Sequence, residues 1–497
     1  EDGSRVFGSK SKGSGGLWMR DLATEKTVRL DVSEPGAVGG EGKPIFQTAS
    51  RDGSRVFFTD AARLTTDSTA GTSPDLYEYD VETGKLVDLS VDPHVGQEAG
   101  VPIVLAASED GSYVYFAASG ALAPPAVPGD CESEERASTC NLYVRHNGTT
   151  KFLAALSGAD ASWKTLYNSD LLNGANVRVS PDGQWFAFMS NRSVTGYDNR
   201  DARSGRPDEE VFLYNAGTEH IVCASCEPTG ARPVGVFVKE GVSASETPLL
   251  VNPGHRWQGA DLAATVPGWA GVTSSNSYYQ PRYLSDGGRL FFNSDGALVP
   301  QDTDGTWDVY EYEPPGAGNC GAASATFSEA SGGCVGLISS GGAREESVFM
   351  DASENGDDVF FLTGAGLVSQ DYDGALDLYD AHACSSASPC LPVAPVVPPP
   401  CSTGDACKAA PSPQPEAFGA PPSQTFSGAG NITTAGEAHS VRPRSLTRTQ
   451  KLAGALRACH KKKAKAKRRA CERQAHKRYG KTARSAAPKS VSHRAGR

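Results

Sequence analysis

The chain of 497 residues has no apolar run near the roughly 20 residues that a membrane-spanning helix needs. It also lacks the usual hydrolase signatures. There is no G-x-S-x-G nucleophile elbow, no H-E-x-x-H zinc helix and no G-x-x-x-x-G-K-[ST] phosphate loop. Aromatic residues are only 8% of the chain, and methionine occurs three times. Histidine is sparse too: His94, His146, His220, His255 and His382 are scattered one per region of the body. Catalysis by histidines would therefore require the fold to bring distant ones together. Zinc is disfavoured as well, because Cys223-Ala-Ser-Cys226 has no second C-x-x-C partner.

Turn-forming residues are abundant, with 55 Gly and 32 Pro, which favours many turns and few long helices. At this length one large all-β unit with appendages is as compatible as three domains. The twelve cysteines fall into six neighbouring pairs: Cys131 and Cys140, Cys223 and Cys226, Cys320 and Cys334, Cys384 and Cys390, Cys401 and Cys407, Cys459 and Cys471. Local pairs in Gly/Ser/Pro-rich segments read as disulfide staples and place the protein outside the reducing cytoplasm. The net charge of −11 hides a division. Residues 440–497 carry 20 Lys and Arg against one acid, Glu472, while the remainder is strongly acidic.

Internal repetition organises the first 380 residues. An Asp-Gly or Asn-Gly turn leads into an aromatic or β-branched run six times: DGSRVFG (2–8), DGSRVFF (52–58), DGSYVYF (110–116), DGQWFAF (182–188), DGGRLFF (286–292) and NGDDVFF (355–361). A second strand follows each: LWMRD (17–21), DLYEYD (75–80), NLYVRH (141–146), VFLYN (211–215), DVYEYE (308–313) and DLYDA (377–381). Five units show a third strand, and units two to six have a fourth before the turn, with QPRYLS at 280–285 in unit five. Four short antiparallel strands per unit, stacked radially, make a propeller blade. The first unit lacks its innermost strand.

The Ser-Pro-Asp-Gly form at 180–183, its relatives at 50–53 and 285–287, and the Leu-Tyr strand that follows resemble the TolB-type, WD-repeat-like β-propellers of bacterial envelope proteins. The segments YDNRDARSG (197–205) and CASCEPTGARP (223–233), with the basic tail, look like secreted actinobacterial propellers. The resemblance implies an all-β, six-bladed β-propeller of four-stranded antiparallel blades over residues 1–381. That broad group includes protein-binding scaffolds, peptidase-associated propellers and polysaccharide lyases, so the fold alone does not choose a function. A Pro-rich linker with small Cys loops (382–443) and a short basic helical tail (444–497) complete the expected organisation. In the tail, a disulfide between Cys459 and Cys471 requires a helical hairpin, because one straight helix would hold them about 18 Å apart.

Four groups of candidate residues stand out. Two loops follow D-x-D-G-x-x-D: Asp302, Asp304 and Asp308, then Asp371, Asp373 and Asp377. Alternating carboxylates on a Gly turn suit calcium, although the EF-hand pattern is incomplete and Asp residues also hydrogen-bond their own turns. The segment from Tyr197 to Asp201 through Asp208, Glu209 and Glu210 reads as a cation or sugar site or, more simply, a solvated acidic loop. The longest spacing between turns holds an insertion at 240–278 with His255, Arg256, Trp257 and Trp269, a candidate ligand loop. In the tail, Lys461, Lys462, Lys463, Lys465, Lys467, Arg468 and Arg469 form a candidate anionic-surface site.

The expected function is a non-enzymatic, extracytoplasmic binding or scaffold module at the cell envelope. A protein or glycan would sit on the propeller face, and an anionic cell-wall polymer or lipid headgroups on the tail. The acidic body itself is another partner for the tail, and simple solvation is the bland alternative. Nucleic acid ranks below these, since Tyr479 is the tail's one aromatic and no stacking platform exists. The alternative from another class is a polysaccharide-active lyase or hydrolase that uses the channel and a divalent cation.

Overall fold

The computed structural model describes residues 3–9, 15–94, 96–160, 175–239, 249–252, 256–269, 279–384, 455–456, 458–459 and 465–479. The chain divides into two compact units, Glu1–Pro399 and Pro400–Arg497.

The repeated Ser-x-Asp-Gly turn closes on its own side chains. Ser50 Oγ donates to Asp52 Oδ1 at 2.6 Å, the Ser54 amide donates to the same oxygen at 2.9 Å, and the Arg55 amide donates to Ser50 Oγ at 3.0 Å. These donors, the Ser50 hydroxyl foremost, hold the Asp52 carboxyl down at about 2. Ser108 with Asp110 and Ser180 with Asp182 repeat the arrangement. Glycine is required after the Asp: Gly183 has φ of 78°, and a Cβ there would lie 2.4 Å from the Tyr113 ring of the preceding unit.

From these turns the strands run antiparallel. Unit one contains β1 (Arg5–Ser9), β2 (Leu17–Asp21) and β3 (Lys26–Arg29); unit two contains β4 (Ile45–Ala49), β5 (Arg55–Asp60), β6 (Asp75–Asp80) and β7 (Lys85–Asp88). Unit three has β8 (Ile103–Ala107), β9 (Tyr113–Ala118), β10 (Thr139–His146) and β11 (Thr149–Ser157). Unit four has β12 (Arg178–Val179), β13 (Trp185–Ser190), β14 (Glu210–Asn215) and β15 (His220–Cys223). Before and within the insertion, β16 (Val236–Phe237) and β17 (Asp261–Leu262) form a two-stranded sheet. Unit five contains β18 (Ala264–Thr265), β19 (Leu290–Ser294), β20 (Asp308–Glu313), β21 (Phe327–Ser328) and β22 (Gly333–Leu337); unit six has β23 (Ser347–Ala352), β24 (Asp358–Thr363) and β25 (Asp377–His382). The basic helix α1 spans Lys465–Tyr479.

The first compact unit is thus a nearly all-β, propeller-like array of antiparallel sheets, three of them four-stranded. Seven sheets occur among the described residues, not six, because β16, just before the insertion, pairs with β17 inside it. The first strand of unit five is composite. Within 280–285 Leu284 bridges to Leu290, with the Phe291 amide donating to Tyr283 O and the Ser285 amide to Arg289 O, each at 2.8 Å, and β18 continues the edge of β19, Ala264–Thr265 against Ser294 and Asn293.

Successive units are joined by backbone and by aromatic packing. The Arg51 amide donates to Glu109 O at 2.7 Å, Glu109 to Pro181 O at 2.8 Å, and Asp286 to Glu354 O at 2.9 Å. Tyr115 of β9 stacks on Phe186 of β13 at 4.2 Å between centroids, Phe7 on Phe46 at 5.4 Å, and Phe291 on Phe349 at 5.8 Å. Each stacked pair adds about 1 kcal/mol beyond the area it buries. The second-strand tyrosine anchors the loop above it. Tyr143 Oη donates to Gly120 O at 2.7 Å and accepts from the Leu122 amide at 3.1 Å, and Tyr77 does the same with Ala62 and Leu64.

Disulfides join Cys131 to Cys140, Cys223 to Cys226, Cys320 to Cys334 and Cys459 to Cys471. Cys384 is also disulfide-bonded, whereas Cys390, Cys401 and Cys407 lie outside the described residues. Cys459 and Cys471 have Cα atoms 5.5 Å apart, which one straight helix would not allow, and α1 begins between them. No helix among the described residues is long and apolar enough to cross a membrane.

Candidate functional site

The loop before β20 gathers the first aspartate triplet. Asp308 opens the strand, Gly305 takes φ of 72° to turn the loop, and Asp302 lies beneath the Tyr310 hydroxyl. One oxygen each from Asp302, Asp304 and Asp308 falls within 4.8 Å of the others. One oxygen of each carboxylate is held by a donor. Tyr310 Oη donates to Asp302 Oδ2, Ser339 Oγ to Asp308 Oδ1, and the Thr306 amide to Asp304 Oδ1 at 3.0 Å. Asp302 and Asp308 are buried, and burial raises both carboxyls, Asp308 to about 7. Asp295 is close enough to feel the charges of Asp302 and Asp304; burial is the main cause of its rise to about 6.

Asp371, Asp373 and Asp377 reproduce the spacing before β25 with the same reach of 4.8 Å, but on an open surface where Asp373 and Asp377 are exposed. Tyr379 Oη donates to Asp371 Oδ2, as Tyr310 does to Asp302, and the Ala375 amide donates to Asp373 Oδ1 at 2.9 Å. Sequence reading identified both triplets but missed Ser339, Tyr310 and Asp295. For Ser339 a signal exists: Ser90, Ser225 and Ser339 each follow the strand beside the second strand and receive its backbone N–H, from Leu76, Val211 and Val309.

The acidic loop of unit four is not a solvated one. Asp208, Glu209 and Glu210 are buried. Burial lifts Asp208 to about 7, helped by the charges of Asp201 and Asp261, and lifts Glu210 well above the carboxylate range although Ser225 Oγ donates to it. At the surface, Asp198 pairs with Arg200 and with Arg232, each at 2.7 Å. Cys223 and Cys226 are tied to each other and offer no thiolate beside Glu210.

The insertion corrects a second expectation. Trp257 is fully buried in the largest core cluster and presents no aromatic face to a ligand, whereas Trp269 is partly buried against the same cluster. Arg256 is half-buried, with its guanidinium pKa lowered by desolvation, and His255 lies outside the described residues. The insertion is anchored instead by Asp261, which pairs with Arg136 at 3.2 Å and Arg206 at 2.6 Å. In the tail, Lys465, Lys467, Arg468 and Arg469 belong to α1, with Arg469 exposed; Lys461, Lys462 and Lys463 lie outside the described residues.

The four described histidines of the body are dispersed. His94 bonds Asp92 at 2.9 Å, His146 stacks on Tyr113 at 3.6 Å, His220 lies in β15, and His382 bonds Asp358 at 2.6 Å. No two share a sheet.

No family model matches the chain, and no curated protein does. Among solved structures it is similar to TolB from Acinetobacter baumannii, at 11% identity and a TM-score of 0.25, over 72% of this chain and 60% of that one. An oligogalacturonate lyase from Vibrio parahaemolyticus is similar at 11% identity and a TM-score of 0.28, over 78% and 88%. A prolyl endopeptidase structure is similar at 14% identity and a TM-score of 0.26, over 76% and 48%. The chain thus spans under two thirds of the TolB chain and about half of the peptidase chain, and likenesses this distant say nothing about activity.

Proposed function

We propose that this protein is an extracytoplasmic, non-enzymatic binding module, six propeller blades serving as scaffold and the basic tail holding it to an anionic surface. One observation carries the reading: the polar side chains that recur from unit to unit are consumed inside the units. The Ser-Asp turns, the tyrosine clamps and the outer-strand serines all bond their own loops and strands. A catalytic cleft requires histidines, carboxylates and a base to converge, and no two of the described body histidines share a sheet. The disulfides agree with an oxidising compartment.

For the tail, α1 itself carries seven Lys and Arg against Glu472 over its 15 residues. Its few apolar residues are mostly alanine, so it lacks the broad apolar face an inserting helix needs. Attraction to a polyanion is the interaction left to it, and salt screens that attraction.

The test uses the full chain and a variant with Lys461, Lys462, Lys463, Lys465, Lys467, Arg468 and Arg469 changed to Gln. Both are sedimented with isolated cell envelopes over a salt series. The native chain is expected to be retained at low salt and released as salt rises, with the variant staying in the supernatant. Equal, salt-insensitive retention of both would refute the tail anchor and place binding on the blades.

A further inference from the structure

We infer that the loop before β20 is a divalent-cation site, with Asp302, Asp304 and Asp308 supplying one carboxylate oxygen each to a hard cation of the calcium type. The triplet alone would be a motif; its buried oxygens make it a site. Asp302 Oδ1, Asp304 Oδ2 and Asp308 Oδ2 are all sealed from solvent and have no hydrogen-bond partner. Asp302 is 4% exposed and Asp308 1%. An unpaired buried carboxylate is costly, and three side by side repel one another as well. No salt bridge reaches any of them among the described residues.

The arrangement suits a cation in three further respects. The donors from Tyr310, Thr306 and Ser339 fix the other oxygen of each carboxylate and so orient the free one, as outer-shell partners do at metal sites. Oxygens about 2.4 Å from one calcium ion can be at most about 4.8 Å apart, and one oxygen from each of the three aspartates falls inside that limit. The ligand set is all oxygen, which selects hard cations over zinc or copper.

Sister loops show what the same position does otherwise. In unit two, Asp75 Oδ2 accepts from Ser68 Oγ and from the amides of Thr69 and Ala70; Asp75 Oδ1 and Asp88 Oδ2 are also buried and unpartnered, but among the described residues no third carboxylate gathers with them. In unit six the triplet Asp371, Asp373 and Asp377 has the spacing without the burial, and none of its oxygens is both buried and unpartnered. Unit five combines the triplet with burial, so the stronger binding belongs there.

Trp307 is buried within the same loop, which supplies a specific probe. Terbium, a luminescent stand-in for calcium, is added to the EDTA-treated and desalted full chain, and the tryptophan is excited. Expected are sensitised terbium emission from the native chain, its displacement by calcium chloride, and a rise in melting temperature with calcium. Asp304→Asn, which keeps the acceptor for Thr306, is expected to lose the emission and the calcium-dependent rise while its circular dichroism stays native. Asp373→Asn is expected to keep both. The proposal is overturned if the native chain gives neither emission nor a calcium-dependent rise. It is equally overturned if Asp304→Asn behaves as native, or if Asp373→Asn alone removes the signal.

Discussion

At the scale of the residue, burial decides what an acid does in this molecule. Asp60, at the end of β5, is 1% exposed and lies beside the Asp31 charge; burial first, and that charge in addition, lift its carboxyl to about 6. Its proton is therefore held more tightly in the folded than in the unfolded chain. The contribution of Asp60 to stability is full below its unfolded value and declines as pH rises through about 6. Asn at this position keeps the acceptor for the Ala62 amide, 3.0 Å away. Asp60→Asn should therefore stabilise the fold at neutral pH by on the order of 1–2 kcal/mol and leave it unchanged below about pH 4. Urea unfolding across this range checks it; an equal effect at both ends would mean that the gain is not electrostatic. Such burial was invisible in the sequence, where the unit-four acids and Trp257 read as surface groups. Residue type reports polarity, whereas burial depends on which neighbours the fold brings over it.

At the scale of the element, most strands were legible because their signals are local. An Asp-Gly turn, a period of two and a Leu-Tyr pair all lie within about a dozen positions. The sequence-based ranges of the second strands agree with β2, β6, β10, β14, β20 and β25 to within two residues. In unit five the expected strand at 280–285 supplies only part of the edge of β19; β18 supplies the rest across a long insertion, and no local pattern encodes that partnership. The tyrosine clamp is the recurring device that holds each loop over its unit. Tyr143→Phe keeps the ring stacked at 5.6 Å on Phe116 but loses the bond to Gly120 O and leaves the Leu122 amide unpaired. A loss of about 1–3 kcal/mol is expected in denaturant unfolding, with no change in secondary structure. A loss within error would show that the clamp is ornamental and the stacking sufficient.

At the scale of the whole molecule, an acidic array of β units and a basic helical segment form separate compact bodies of one chain. The charge asymmetry was readable from composition alone. The cation loop was readable only in part: the sequence showed three aspartates, and the structure added the buried, partnerless oxygens that distinguish one loop from its sister. The functional account rests on the chain working where thiols are oxidised. The most direct test is a thiol count on the protein isolated from its own source, unfolded in denaturant with an alkylating agent and weighed by mass spectrometry before and after reduction. The account predicts no label before reduction and twelve labels after it, matching the twelve cysteines. Free thiols at Cys131, Cys140, Cys223, Cys226, Cys320 or Cys334 would contradict it and return the protein to a reducing compartment.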